Sequence, residues 1–249
     1  SNYHELNDLA IVSAIGIEKE EEKYKVTLEL YKEVKESNSG SASKESEDIS
    51  GTGKSIDEAI NNSSFTSEKL LYFSHIQAII IDSDLAKEGI SNIMDYLSRN
   101  TDLSFVSYVV VSDDKKPSEI LSKKDIKNEI IGDAISSIFN TIDQNNSAFV
   151  YNKYFEFLEE YINKNQDVYA PLIKVKDKQI VIEEMAVFKE DKMIDTLNSN
   201  KTKTFSLLSN NTDSLYYKLS YNDGYIVIRV FEGNSKIKIR DGKIVIDIN

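Results

Sequence analysis

The densest run of hydrophobic positions in the chain falls within Tyr72–Asn100, YFSHIQAIIIDSDLAKEGISNIMDYLSRN. Ile76, Ala78 and Ile80 are set to point one way and Ile79 and Ile81 the other, so both faces are apolar. A strand of that kind belongs in the middle of a sheet covered on both sides. Asp82, Ser83 and Asp84 offer N-cap chemistry for a short helix, and Gly89 is placed to close it in a left-handed conformation. A second helix follows with Ile90, Ile93, Met94 and Leu97 on one face. Ser104–Val111 is the next predicted strand, and a crossover of this length favours parallel pairing.

Upstream, Leu9–Ile17 and Lys23–Tyr31 are β-rich runs joined by the acidic turn Lys19–Glu22. Glu33–Gly53 is rich in Ser, Gly, Glu and Lys, and is expected to be a solvated mobile loop. Ser55–Glu58 forms a capping box that starts a helix with Ile56, Ala59 and Ile60 inward. Downstream, Pro117–Leu121 opens a helical region. Ile126, Ile130, Ile131, Ala134, Ile135, Ile138, Phe139 and Ile142 then give a long amphipathic face, which Gln144–Ser147 interrupts. Tyr151, Tyr154, Phe155, Leu158, Tyr161 and Ile162 form a second stripe, read as core.

From residue 168 the period changes from helical to alternating. Val168–Lys176, Gln179–Lys189 and Met193–Leu197 are predicted strands, and Lys201–Ser209 is ambiguous between helix and strand. Leu215–Tyr221, Tyr225–Phe231, Ser235–Arg240 and Lys243–Ile248 alternate at period two, with hairpin signals at Asn222-Asp223-Gly224 and Asp241-Gly242. The expected fold class is α+β or mixed α/β. A mixed sheet flanked by helices over residues 3–176 precedes a smaller strand-rich unit over 179–249, with the boundary at Lys176–Lys178.

Composition narrows the function classes. The chain has 249 residues, 40% hydrophobic and 29% charged, and a formal net charge of −12. That field repels phosphates and anionic lipid, and no basic stripe offsets it, so a nucleic-acid partner is not expected. With no Cys, disulfides and thiolate metal sites are excluded for this chain. No apolar run approaches the roughly 18 residues needed for a spanning helix.

Candidate chemistry is sparse, and no catalytic, cofactor or metal residues are assigned. The only two histidines are His4, near a terminus, and His75, beside Ser74 at the entry to the apolar strand. Strand neighbours face opposite ways, so Ser74 and His75 cannot act together as nucleophile and base, and a structural His75 is expected. Asp113-Asp114, Glu183-Glu184 and the Glu18–Glu22 turn are carboxylate-rich, but nothing selects a pair with glycosidase spacing. The glycine turns lack calcium-loop spacing. Gly51-Thr52-Gly53-Lys54-Ser55 hints at a phosphate loop, but Asp48 stands where the first Gly is required.

Three stretches carry a family resemblance. FSHIQAIIIDSDLAKEGI with the later Arg99-Asn100 pair, Glu5–Glu18 (ELNDLAIVSAIGIE), and Met185–Leu197 (MAVFKEDKMIDTL) resemble, in order and spacing, the Ger(x)C family. Glu18 stands where that family usually carries Asp, and Met185 and Asp195 where a small residue and a Gly are usual. Members are C subunits of nutrient germinant receptors in endospore-forming bacteria. The resemblance implies a lipoprotein at the outer face of the spore inner membrane, working beside integral-membrane A and B subunits without catalysis. It also implies that a signal peptide and a lipidated Cys precede Tyr3 in the natural protein, Ser1-Asn2 being a cloning remnant, and that most of a third region follows Asn249. The other readings are a nutrient-binding domain and a secreted hydrolase of cortex peptidoglycan.

Overall fold

The structure is a computed structural model. It describes residues 9–35, 42–100, 107–123, 126–127, 130–144, 153–163, 168–208, 214–221, 224–231, 235–240 and 243–248.

The fold begins as a meander of three strands: β1 (Leu9–Glu20), β2 (Lys23–Lys35) and β3 (Ala42–Gly53), each antiparallel to the last. The expected loop at Glu33–Gly53 is therefore corrected: residues 42–53 are a strand, paired with β2 from Lys35↔Ala42 to Tyr24↔Gly53. ASKESEDISGTG has little β-propensity, but an edge strand needs only backbone partners, and polar side chains protect its outer edge. Helix α1 (Ile56–Ser64) then runs back along β2 and β3, burying Ile56, Ala59 and Ile60 as expected. Its cap differs in one bond from the expected box. Ser55 Oγ accepts from Glu58 N at 3.2 Å, while the Glu58 carboxylate accepts from Lys54 N at 2.7 Å.

The short β4 (Leu70–Tyr72) and then β5 (Ala78–Asp82) both lie parallel to β1, one after the other along the same edge. Helices α2 (Ser83–Glu88) and α3 (Ser91–Arg99) cross over to β6 (Tyr108–Ser112), parallel to β5 as the sequence predicts. Helices α4 (Pro117–Leu121), α5 (Ile131–Gln144) and α6 (Tyr154–Ile162) lead to β7 (Val168–Lys176), which is parallel to β6. β8 (Gln179–Lys189) and β9 (Lys192–Leu197) turn back antiparallel, and α7 (Ser199–Leu208) packs on them. The result is a mixed nine-stranded sheet in the order β3-β2-β1-β5-β6-β7-β8-β9, with β4 beside β1. The sheet is continuous across the Lys176–Lys178 turn, where Asp177 and Lys178 both take positive φ. Two further hairpins, β10 (Ser214–Tyr221) with β11 (Gly224–Phe231) and β12 (Ser235–Arg240) with β13 (Lys243–Ile248), complete an α+β architecture. The turn residues Asn222, Asp223, Asp241 and Gly242 lie outside the described residues.

Each sheet face carries its own core. Ile79, Ile81, Val109 and Val111 pack with α1, α2, α3 and α6 on one side. Ala78, Ile80, Tyr108 and Val110 pack with α4 and α5 on the other, where Tyr108 stacks on Phe139 at 4.4 Å. Ile76 joins the Ile79 side rather than the Ala78 side, because the strand and its alternation start only at Ala78. The α6 stripe also needs one correction. Phe157 is fully buried against Phe188 while Ile162 is exposed, so the inner face is set by Tyr154, Phe157, Leu158 and Tyr161. Gly89 has φ +143° and ψ 142°, an extended positive-φ conformation rather than the left-handed helical one. A Cβ there would press on Asp191 Oδ2 at 2.7 Å. The next residue, Ile90, donates its N–H to Asp191 O at 2.8 Å, tying α2 to the β8–β9 turn.

Candidate functional site

In sheets of this kind, ligands usually sit beyond the carboxyl ends of the parallel strands. The register brings four side chains to one level there. Ile17 pairs with Ile81, so Glu18 on β1 stands beside Asp82 on β5; Asp82 pairs with Ser112 on β6, and Ser112 with Ile173 on β7. Glu18, Asp82 and Ser112 lie two residues beyond Gly16, Ile80 and Val110, which face α4 and α5, so this end of the sheet gathers two carboxylates and a hydroxyl on one face.

Almost all of that polarity is taken up by the chain itself. Glu18, 5% exposed, accepts from Ser118 N at 2.8 Å and from Ser118 Oγ at 2.9 Å, which fastens the first turn of α4. Asp82 caps α2 through Leu85 N at 3.4 Å and pairs with Lys116 Nζ at 2.8 Å. Lys116 also reaches Asp84 at 3.0 Å. Burial opposes the Lys116 charge, but the hydrogen bonds and charges of Asp82 and Asp84 outweigh it and push its pKa up to about 12. In return, the hydrogen bond from Lys116 holds the Asp84 carboxyl below its ordinary value. Pro117 and Glu119 complete the seal, the Glu119 carboxylate accepting from Lys116 N at 2.9 Å. Ser112 Oγ is buried and has no hydrogen-bond partner.

A third carboxylate works in the same way deeper in the sheet. Glu29, wholly buried on β2, accepts from Ile131 N at 2.7 Å, from Gly132 N at 3.0 Å and from the Ser13 hydroxyl, with Lys123 Nζ at 3.9 Å. Burial pushes its carboxyl up; the amides, the hydroxyl and the Lys123 charge pull it back, and burial prevails. Glu29 thus anchors the N-terminus of α5. Sequence reasoning missed it, because a Glu alternating with Val26, Leu28 and Leu30 looks like the solvent face of a strand.

The residues singled out from the sequence do not converge. Ser74 and His75 occupy an exposed turn before β5 rather than the strand itself, and the His75 ring lies 5.6 Å from that of Tyr72. His4 lies outside the described residues. Gly51 and Gly53 end β3, where any Cβ would strike the backbone of α1, so those glycines serve helix packing. Asp114 accepts from Val175 N at 2.9 Å, and Glu183 and Glu184 pair with Lys176 and Lys174. Among the described residues no three His, Cys, Asp or Glu side chains cluster in a way that could hold a metal ion, and no helix is long and apolar enough to cross a membrane. A hollow of about 110 Å³, lined by Ala10, Leu30, Tyr31, Glu45, Ser46, Glu47 and Lys69, falls below the roughly 300–1,000 Å³ of ordinary small-molecule sites.

The other end of the same sheet is different in kind. There β4 pairs Leu70 with Leu9 and Tyr72 with Ile11. Leu70 and Tyr72 are 56% and 40% exposed, Leu9 and Ile11 half-buried, and all four share one face.

This combination, a helix-covered mixed sheet with its polar end sealed, coincides with a family assignment. Residues 2–175 match the family described as spore germination protein N-terminal domain, and residues 183–249 match spore germination B3/GerAC like, C-terminal. The chain belongs to the GerAC-like family of spore germination proteins. Among its relatives, spore germination protein GerQC of Bacillus cereus is 24% identical over 203 residues, 80% of this chain and 56% of that protein. The putative spore germination protein YfkR of Bacillus subtilis (strain 168) is 23% identical over 220 residues, covering 83% and 56%. Spore germination protein KC of the same strain is 32% identical over 124 residues, covering 47% and 30%. The chain thus spans about half the length, or less, of the curated relatives it matches. No solved structure matches it.

Proposed function

We propose that this chain is the extracytoplasmic part of a lipid-anchored, non-catalytic subunit of a spore nutrient germinant receptor. It works beside two integral-membrane subunits at the outer face of the spore inner membrane and helps the receptor assemble or convey nutrient binding. The observation that carries this reading is the ordered match of two germination-family regions along one chain. The geometry agrees with it: Glu18 and Asp82, buried carboxylates at the end of the sheet where an α/β enzyme would do chemistry, have lone pairs engaged by α4, α2 and Lys116, and Glu29, deeper in the sheet, is engaged by α5. A general acid or base needs a free site aimed at substrate. We place the seam between the two units at Lys176–Lys178, close to where one family match ends at residue 175 and the next begins at 183.

The test is complementation. In a spore-former lacking this protein, the full-length gene should recover nutrient-triggered germination, and a version whose proposed lipid-anchoring Cys is changed to Ala should not. Germination indifferent to complete deletion would overturn the reading, as would release of muropeptides when the purified chain is incubated with cortex fragments.

A further inference from the structure

We propose that the outer edge of β3 docks an extended basic segment of a partner protein, which adds a further strand to the sheet. The inference goes beyond the receptor-subunit reading, and its test does not depend on an anchor.

Three observations carry it. The first is the edge itself. Among the described residues the sheet ends at β3 on one side and at β9 on the other. β9 has six residues and a register shift against β8, and α2 and α7 pack on it. β3 has twelve residues, no Pro, and a register with β2 that never shifts. Short length, prolines and bulges are usual guards of an edge, and β3 has none of them. The second is the direction of its backbone groups. Glu29 O accepts from the Ser13 hydroxyl at 3.4 Å, so it faces β1. Successive strand residues turn their N–H and C=O to alternate sides, so Leu28 and Leu30 turn theirs to Ile49 and Glu47 of β3. Asp48, Ser50 and Thr52 are thereby turned outward. The Thr52 carbonyl agrees, since it accepts from Asn62 Nδ2 on α1 at 2.8 Å. The third is charge. Lys44 stands opposite Glu33 and Glu45 opposite Lys32, but the exposed Glu47 and Asp48 stand opposite Leu30 and Glu29, neither of them a cation. An antiparallel second copy centred on any residue from 45 to 48 would set acid against acid across the junction. The acids that guard this edge against a second copy favour a strand with Lys or Arg at alternate positions, held by main-chain hydrogen bonds to Asp48 and Ser50.

The probe is a fluorescent peptide as long as β3, with Lys and Thr alternating, and binding to the chain is read by anisotropy at about 0.15 M salt. Two further peptides carry N-methyl groups, one on every Lys and one on every Thr. Each has lost the N–H donors of one edge and kept its charge. One of the two should bind like the parent peptide and the other at least about tenfold more weakly, because only one edge pairs with β3. An analogue with Glu in place of Lys should not bind. In the chain, Ser50→Pro removes an outward N–H and leaves the ladder to β2 intact, so it should weaken the parent peptide about tenfold, while Ser50→Ala binds as before. Glu47→Lys should weaken it about fivefold. Equal binding of both methylated peptides would overturn the proposal, since charge alone would then explain the attraction. Equal binding of the Lys and Glu peptides would overturn it too. So would a dimer of the chain that Ser50→Pro dissolves, because a second copy would then hold the edge. If Ser50→Pro does not fold, the methylated pair still decides, as it leaves the protein unchanged.

Discussion

The two ends of the central sheet solve opposite problems. At the carboxyl end of the parallel strands, Glu18, Asp82 and Lys116 converge, and α4 is fastened over them by hydrogen bonds of 2.8 and 2.9 Å. At the amino end, where β1 and β4 begin, Leu70 and Tyr72 are 56% and 40% exposed on the face they share with Leu9 and Ile11. Fold position alone would put the site at the first end. The state of the groups there argues otherwise: polar atoms engaged by the chain's own donors are structure, and uncovered apolar surface is capacity for contact. A shared architecture therefore does not transfer a site from one family to another.

The contrast predicts a gradient of mutational cost. The largest effect is expected at Glu29, where Glu29→Ala orphans two amides and a hydroxyl together and should cost about 3–4 kcal/mol in urea unfolding. Glu29→Gln keeps an acceptor and should cost less. It should also change the pH profile. Burial raises the native Glu29 carboxyl, so the folded state holds its proton more tightly than the unfolded state. Its contribution to stability therefore falls as pH rises from the ordinary Glu value of about 4.3 through the raised native value, and Glu29→Gln should flatten that slope.

Glu18→Ala releases the first turn of α4 and should cost about 2 kcal/mol, measured in the same way. Lys116→Ala should cost about 1 kcal/mol, since Asp82 is buried but Lys116 itself is 41% exposed and partly screened. At the opposite end, Leu70→Ser with Tyr72→Ser should change stability by no more than about 0.5 kcal/mol. If that double variant costs as much as Glu18→Ala, the amino end is core and the comparison fails.

Much of this was legible in the sequence. Ala78–Asp82 declares itself as a doubly covered strand because each of its apolar residues has a core to enter. The β7–β8 hairpin announces itself through alternation on both sides of Asp177-Lys178, and both of its strands begin and end where the pattern says. β3 was hidden because its single large apolar residue is Ile49, and its reason for being a strand lies in β2 rather than in itself. Phe157 escaped because a short helix with aromatics on several faces does not say which face is inner. The buried carboxylate contacts were hidden more deeply. Glu18 and Ser118 are 100 residues apart, and Glu29 and Ile131 are 102 apart, so no local pattern links them. Asp82 was read correctly as a cap for α2, but its bond to Lys116 depends on the register between β5 and β6. The apolar residues of β4 left only a faint trace, because a strand of three residues is too short to show a period.

The central claim of the proposed function is that this protein works by contact and not by chemistry at its carboxyl-end groups. Nutrient-triggered germination of spores carrying full-length variants tests that directly, with protein levels checked in each strain. Ser112→Ala removes the one buried hydroxyl among the described residues that lacks a partner, and these spores should germinate at the parental rate. Leu70→Ser with Tyr72→Ser, folded and present at parental levels, should germinate at least about tenfold more slowly, the cost of losing a contact of about 1.4 kcal/mol. Parental germination in the double variant together with failure in Ser112→Ala would contradict the account.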